Sequence, residues 1–108
     1  MPTTETVQRP YMTTYEFEAA AKNAVIQVMR ERYKLELRIE ELQLVWFAHT
    51  LGYKKCTLYA PKLGRYYPEV TYNRASDELY VDVYLKLSNT KLDRDQMDCK
   101  AHGMCEEE

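Results

Sequence analysis

Long apolar runs are missing. Nowhere in the 108 residues do apolar side chains approach the roughly 18 in succession that cross a bilayer. The longest cluster, Leu44 to Ala48, is the size of a strand. Glycine is scarce, and Gly52, Gly64 and Gly103 stand alone, so no glycine-rich loop can cradle a phosphate or dinucleotide. A basic excess is also missing. Fifteen Lys and Arg against 17 Asp and Glu leave a formal charge of −2, which removes the easy case for nucleic-acid binding. Cys56, Cys99 and Cys105 are odd in number and unevenly placed, a poor disulfide framework that predicts free thiols in a reducing compartment. Residues 1–8 are polar and carry Glu5, which predicts no secretory signal. The expected setting is the cytosol, with no membrane partner.

What remains is an ordinary globular composition, 45% hydrophobic and 30% charged, in a chain long enough for one modest core. Tyrosine is the exception: ten, against two phenylalanines and one tryptophan.

Residues 1–12 show no period and contain Pro2 and Pro10, so they read as a flexible arm. Thr13 followed by Glu16 is a capping-box pattern that opens a helix over 13–34. Phe17, Ala21, Ala24, Val25 and Val28 give it one apolar stripe, and Arg30, Arg32 and Lys34 suit its negative end. Leu35, Leu37 and Ile39 then alternate with charged residues as an extended lead-in.

Four strands follow. Residues 42–51 are apolar on both alternate sets, which predicts a central strand covered on both faces. Residues 54–60 form the second, and Pro61 to Gly64 makes the turn. Residues 65–73 form the third, where Pro68 predicts an edge or a bulge. Residues 78–87 alternate, with Leu79, Val81, Val83, Leu85 and Leu87 on one face and Tyr80, Asp82, Tyr84 and Lys86 on the other. The expected fold is α+β, a helix laid on one face of a four-stranded antiparallel meander over residues 13–88. Residues 89–108 read as a polar acidic tail with room for one helical turn.

The strings LQLVWFAHTL, YYPEVTYN and ELYVDVYLKLSN resemble an uncharacterised family of short phage and prophage proteins of Gram-positive bacteria. That family is similar in its leading helix, its Val-Trp-Phe strand followed by Lys-Thr-Leu, its Tyr-Tyr-Glu-Val-Thr-Tyr-Asn strand and its Tyr-x-Asp-x-Tyr strand. The resemblance covers residues 37–88 well and the helix loosely. His49 stands where the family usually carries lysine, Pro68 is an extra residue, and the 74–77 turn lacks the usual glycine. The resemblance implies a phage or prophage accessory protein and no catalytic residue.

The chemistry-bearing residues are sparse. Cys99, His102 and Cys105 are three candidate zinc ligands without a second pair, and a solvated tail explains them better; no metal or cofactor is expected. Cys56 and His49 fall on adjacent strands, but no oxyanion motif or orienting third group accompanies them. Glu40-Glu41 and Asp93/Asp95 sit in a turn and a tail rather than a cleft. The expectation is a non-enzyme.

Tyr66, Tyr67, Tyr72, Tyr80 and Tyr84 cluster on neighbouring strands. Cross-strand packing is the plain explanation. Tyr80 and Tyr84, however, point away from the face meant for the helix. With Asp82 and Glu69 they make an aromatic and acidic surface suited to a protein partner or to a second copy of the chain. Trp46 belongs either to that surface or to the core; alternation leaves both open. The contrasting expectation is single-stranded RNA or DNA stacked on the same rings, with Lys54, Lys55, Lys62, Arg65 and Lys86 as a modest basic patch.

Overall fold

The computed structural model describes residues 12–97. The expected arm before Met12 and most of the expected tail, with Cys99, His102 and Cys105, lie outside the described residues. Helix α1 spans Thr14–Tyr33 and opens on the expected capping box. Thr13 Oγ1 accepts the Glu16 N–H at 3.0 Å, and Glu16 Oε1 accepts the Thr13 N–H at 2.8 Å. At the far end Lys34 turns left-handed at φ 57°, and the Leu35 N–H donates back to the Met29 carbonyl at 3.0 Å.

The lead-in departs from the expected extended form at its end, beyond Arg38, which is extended. Ile39–Glu41 forms one 3-10 turn, because Glu41 Oε1 accepts the Arg38 N–H at 2.7 Å and closes it. That hydrogen bond, with Lys62 nearby, holds the Glu41 carboxyl below its ordinary range. Through Lys62, Glu41 ties this turn to the Pro61–Leu63 turn.

Strands β1 (Gln43–Thr50), β2 (Tyr53–Tyr59), β3 (Tyr66–Asn73) and β4 (Glu78–Leu85) pair antiparallel in the order β1-β2-β3-β4. The architecture is thus α+β, as the pattern predicts. Two local expectations are corrected. β1 is an edge strand, not a central one, and Val45 and Trp46 are exposed at 60% and 49%. Its double apolar pattern serves one face against the helix and one open face, with only one layer available to cover it. Nor does Pro68 mark an edge or bulge: it is buried within β3, and the pairing irregularity lies in β1 between Leu44 and Trp46. Arg74 N–H donates to the Gly52 carbonyl, so the even-numbered backbone groups of β3 face β2. The β2–β3 ladder ends at Thr57 and Glu69, one step before the proline that has no N–H to give.

Every fourth residue of α1 is buried: Phe17, Ala21, Val25 and Met29. They pack on Cys56, Leu58, Val70 and Tyr72 of the two central strands, with Leu37, Leu42, Ala60 and Leu63 closing the ends. Phe17 meets Phe47 of β1 at 5.9 Å between ring centroids, and Tyr33 meets Tyr66 of β3 at 4.6 Å. The helix thus runs diagonally. Leu79, Val81 and Val83 of β4 touch the core but stay half-buried.

Replacing Phe17, fully buried, by alanine removes the largest helix side chain in the core and should cost about 3–5 kcal/mol. Alanine at Tyr15, 83% exposed, should move stability by no more than about 0.5 kcal/mol. Urea denaturation of the two variants checks the helix orientation: equal losses would show that the stripe has been assigned to the wrong side.

Candidate functional site

Side-chain alternation assigns two faces to the sheet. The row Phe47–Cys56–Val70–Val81 lies under the helix, and the row Trp46–Thr57–Glu69–Asp82 lies on the opposite, uncovered face. The irregularity at Val45 decides the position of Trp46. Leu44 opposes Leu58 on the helix side, while Trp46, two residues later, opposes Thr57 on the open side. A strict period of two cannot produce that reversal, which is why the sequence alone left both positions open.

Six rings stand on the open face: Trp46, Tyr53, Tyr59, Tyr67, Tyr80 and Tyr84, each between 47% and 50% exposed. Of the expected cluster, Tyr66 and Tyr72 point to the helix side instead, and the Tyr72 hydroxyl donates to Asp77 Oδ1 at 2.6 Å. Tyr53 and Tyr59 are the contributors that the sequence reading missed. Their signal was the odd-number register of residues 53–59, in which Cys56 and Leu58 take the core side.

Glu69 is central to the electrostatics. It lies directly opposite Asp82, a like-charge cross-strand pair that costs stability. Glu69 Oε1 leans towards Lys55 Nζ at 3.7 Å and accepts the Tyr84 hydroxyl at 3.3 Å, while the Tyr84 ring meets Tyr67 at 6.4 Å. Tyr80 donates to Glu78 Oε1 at 2.5 Å. Beneath these groups Thr57 is 3% exposed, and its Oγ1 has no hydrogen-bond partner among the described residues.

The expected basic patch is dispersed. Lys54 is buried on the helix side, opposite Tyr72. Lys62 pairs with Glu41, and Arg65 is held by the carbonyls of Lys86 and Leu87. On the open face Glu69, Glu78 and Asp82 outnumber Lys55 and Lys86.

Cys56 and His49 share the helix side but do not oppose each other. Cys56 pairs with Phe47, and His49 with Lys54. Burial, reinforced by Glu18 and Glu69, pushes the Cys56 thiol up to about 11, so it stays protonated and weakly nucleophilic at neutral pH. Among the described residues no group of three or more His, Cys, Asp or Glu could hold a metal ion.

The model of a family of unknown function, DUF6275, matches residues 18–94. No curated protein and no solved structure matches the chain. Among the described residues no helix is long and apolar enough to cross a membrane.

The hydrogen bond to Glu78 and its charge raise the pKa of Tyr80; at Tyr84 the charge of Glu69 leads, with burial and Asp82 adding to it. Above the ordinary value of 10.0 the folded chain keeps protons that the unfolded chain releases. The resulting stability is complete below that value and fades as pH rises through the higher folded values. In a tyrosinate absorbance titration Glu69→Gln should bring Tyr84 back towards the ordinary value and leave Tyr80 raised. Equal shifts in both would show that Glu69 is not the local cause.

Proposed function

We propose a function for a chain that belongs to the DUF6275 family of unknown function: it is a non-enzymatic module that binds another protein through its open tyrosine face. The observation that carries this reading is the set of six half-exposed rings surrounding the opposed carboxylates of Glu69 and Asp82. Tyrosine and tryptophan offer large contact area with few rotors and a polar tip, the composition of binding hot spots. A sheet face with no second layer and that much aromatic surface is stabilised by a protein laid against it.

The chemistry of the partner follows from the charges. An arginine or lysine set between Glu69 and Asp82 relieves their repulsion and stacks on the neighbouring rings. Phosphates would instead meet Glu69, Glu78 and Asp82 at close range, which disfavours the single-stranded nucleic-acid alternative. The protonated, buried Cys56 favours binding over catalysis. The resemblance to phage and prophage proteins supports an accessory role in the cytoplasm of a bacterial host, including antagonism of a host or defence factor.

Affinity capture from bacterial lysate tests the reading. The Tyr80→Ala, Tyr84→Ala double variant should keep its circular-dichroism spectrum and lose about 2 kcal/mol or more of binding, roughly thirtyfold. A folded double variant that captures the same protein at full strength would place the contact surface elsewhere. Retention of single-stranded RNA at low salt, with no captured protein, would favour the nucleic-acid alternative.

A further inference from the structure

The sheet has two edges, and they differ. β1 is interrupted by its irregularity at Val45, a device that spoils edge-to-edge pairing. β4 is paired with β3 without interruption from Glu78 to Leu85 and contains no proline. Lys86 N–H donates to the Arg65 carbonyl at 2.8 Å, which fixes the parity of the strand. Even-numbered residues of β4 turn their backbone groups to β3, and Leu79, Val81, Val83 and Leu85 turn theirs outward. Among the described residues no backbone hydrogen bond from Leu79, Val81 or Val83 leads to any other segment.

Beside this edge, on the helix side, runs a groove of about 420 Å³. Ala24, Gln27, Val28, Arg32 and Tyr33 of α1 line one wall, and Leu79, Val81 and Val83 the other. The diagonal course of the helix leaves it open.

We infer that β4 pairs antiparallel with β4 of a second copy, joining the two sheets edge to edge with both helices on the same side. The alternating faces and the charges restrict the register. A two-fold axis through Asp82 would set the two Asp82 carboxylates against each other, and one through Tyr80 would set Glu78 against Asp82. An axis through Val83 would draw on Leu87, beyond the end of the strand. The axis through Val81 avoids all three. It pairs Leu79 with Val83 of the second copy, and Val81 with its own counterpart, all through outward-facing backbone groups. On the open face it sets Tyr80 beside Asp82 and Glu78 beside Tyr84, a hydroxyl against a carboxylate each time. The same chemistry already operates within one chain at Tyr80–Glu78 and Tyr84–Glu69. The two grooves meet across the axis and bring Leu79, Val81 and Val83 of both copies onto one helix-side surface. This pairing engages Tyr80, Asp82 and Tyr84 only at their hydroxyl and carboxylate ends and leaves the ring faces uncovered.

Sedimentation equilibrium of the full chain across a concentration series should give twice the 12.8 kDa chain mass at high concentration. Val81→Pro removes an outward N–H and no β3–β4 bond, so it should give a folded monomer. Amide exchange of the unaltered chain supplies a second reading should that variant unfold. Leu79, Val81 and Val83 should be protected at high concentration and lose that protection on dilution, while Tyr80, Asp82 and Tyr84 stay protected throughout. A chain that remains monomeric overturns the inference, and so does a dimer in which those outward amides exchange freely. Protection of the same amides in a monomer, independent of concentration, would assign the edge to another part of this chain and equally overturn it.

Discussion

Burial of one narrow helix stripe on two central strands is the contact on which everything else in this structure depends. Phe17, Ala21, Val25 and Met29 repeat every fourth residue and meet Cys56, Leu58, Val70 and Tyr72. A four-stranded sheet is wider than one helix, so this contact closes the middle and leaves the margins partly covered. Phe47 at one margin and Val81 and Val83 at the other are only half-buried. A single helix can also cover only one side. The tyrosine face and the groove along β4 therefore both follow from the two layers and one α-helix of the described residues.

Local signals were legible where one physical rule acts alone. Thr13 and Glu16 announce the helix start because both reach unpaired backbone N–H groups at once. Residues 78–87 announce their two faces because nothing disturbs a period of two before the strand ends at Leu85. The reading failed where two constraints compete. In β1 both alternate sets are apolar, which ordinarily signals burial on two sides; here one set meets the helix and the other builds the aromatic surface. Trp46 could not be placed because the irregularity at Val45 shifts the register by one residue. Pro68 was read as an edge signal, yet its missing N–H falls where the β2–β3 ladder has already ended.

The candidate site was legible in part. Tyr80, Asp82, Tyr84 and Glu69 fall together because they lie on adjacent strands whose pairing the turn at 74–77 dictates. Tyr53 and Tyr59 were missed because the face of β2 depends on which of its alternate residues enters the core. Lys54 and Thr57 blur that choice, since Lys54 is buried on the helix side and Thr57 on the other. The basic patch dissolved for a related reason: Lys62 and Arg65 are spent on Glu41 and on the carbonyls of residues 86 and 87. Proximity along the chain gave no hint of these tethers.

The open face holds features that stability alone does not favour. Opposed carboxylates at Glu69 and Asp82 repel, and a buried Thr57 hydroxyl without a partner among the described residues carries a desolvation cost. Either defect could be removed by a small substitution: threonine at 69 or 82 would end the repulsion, and valine at 57 would remove the unpaired hydroxyl. Their coincidence at the middle of a ring of aromatic side chains suits a surface whose lowest energy is reached in a complex. In the proposed complex a cation between the carboxylates would turn repulsion into two attractions. The aromatic rings then exclude water from the charged centre, which strengthens each of those contacts in the complex more than any of them stabilises the free chain.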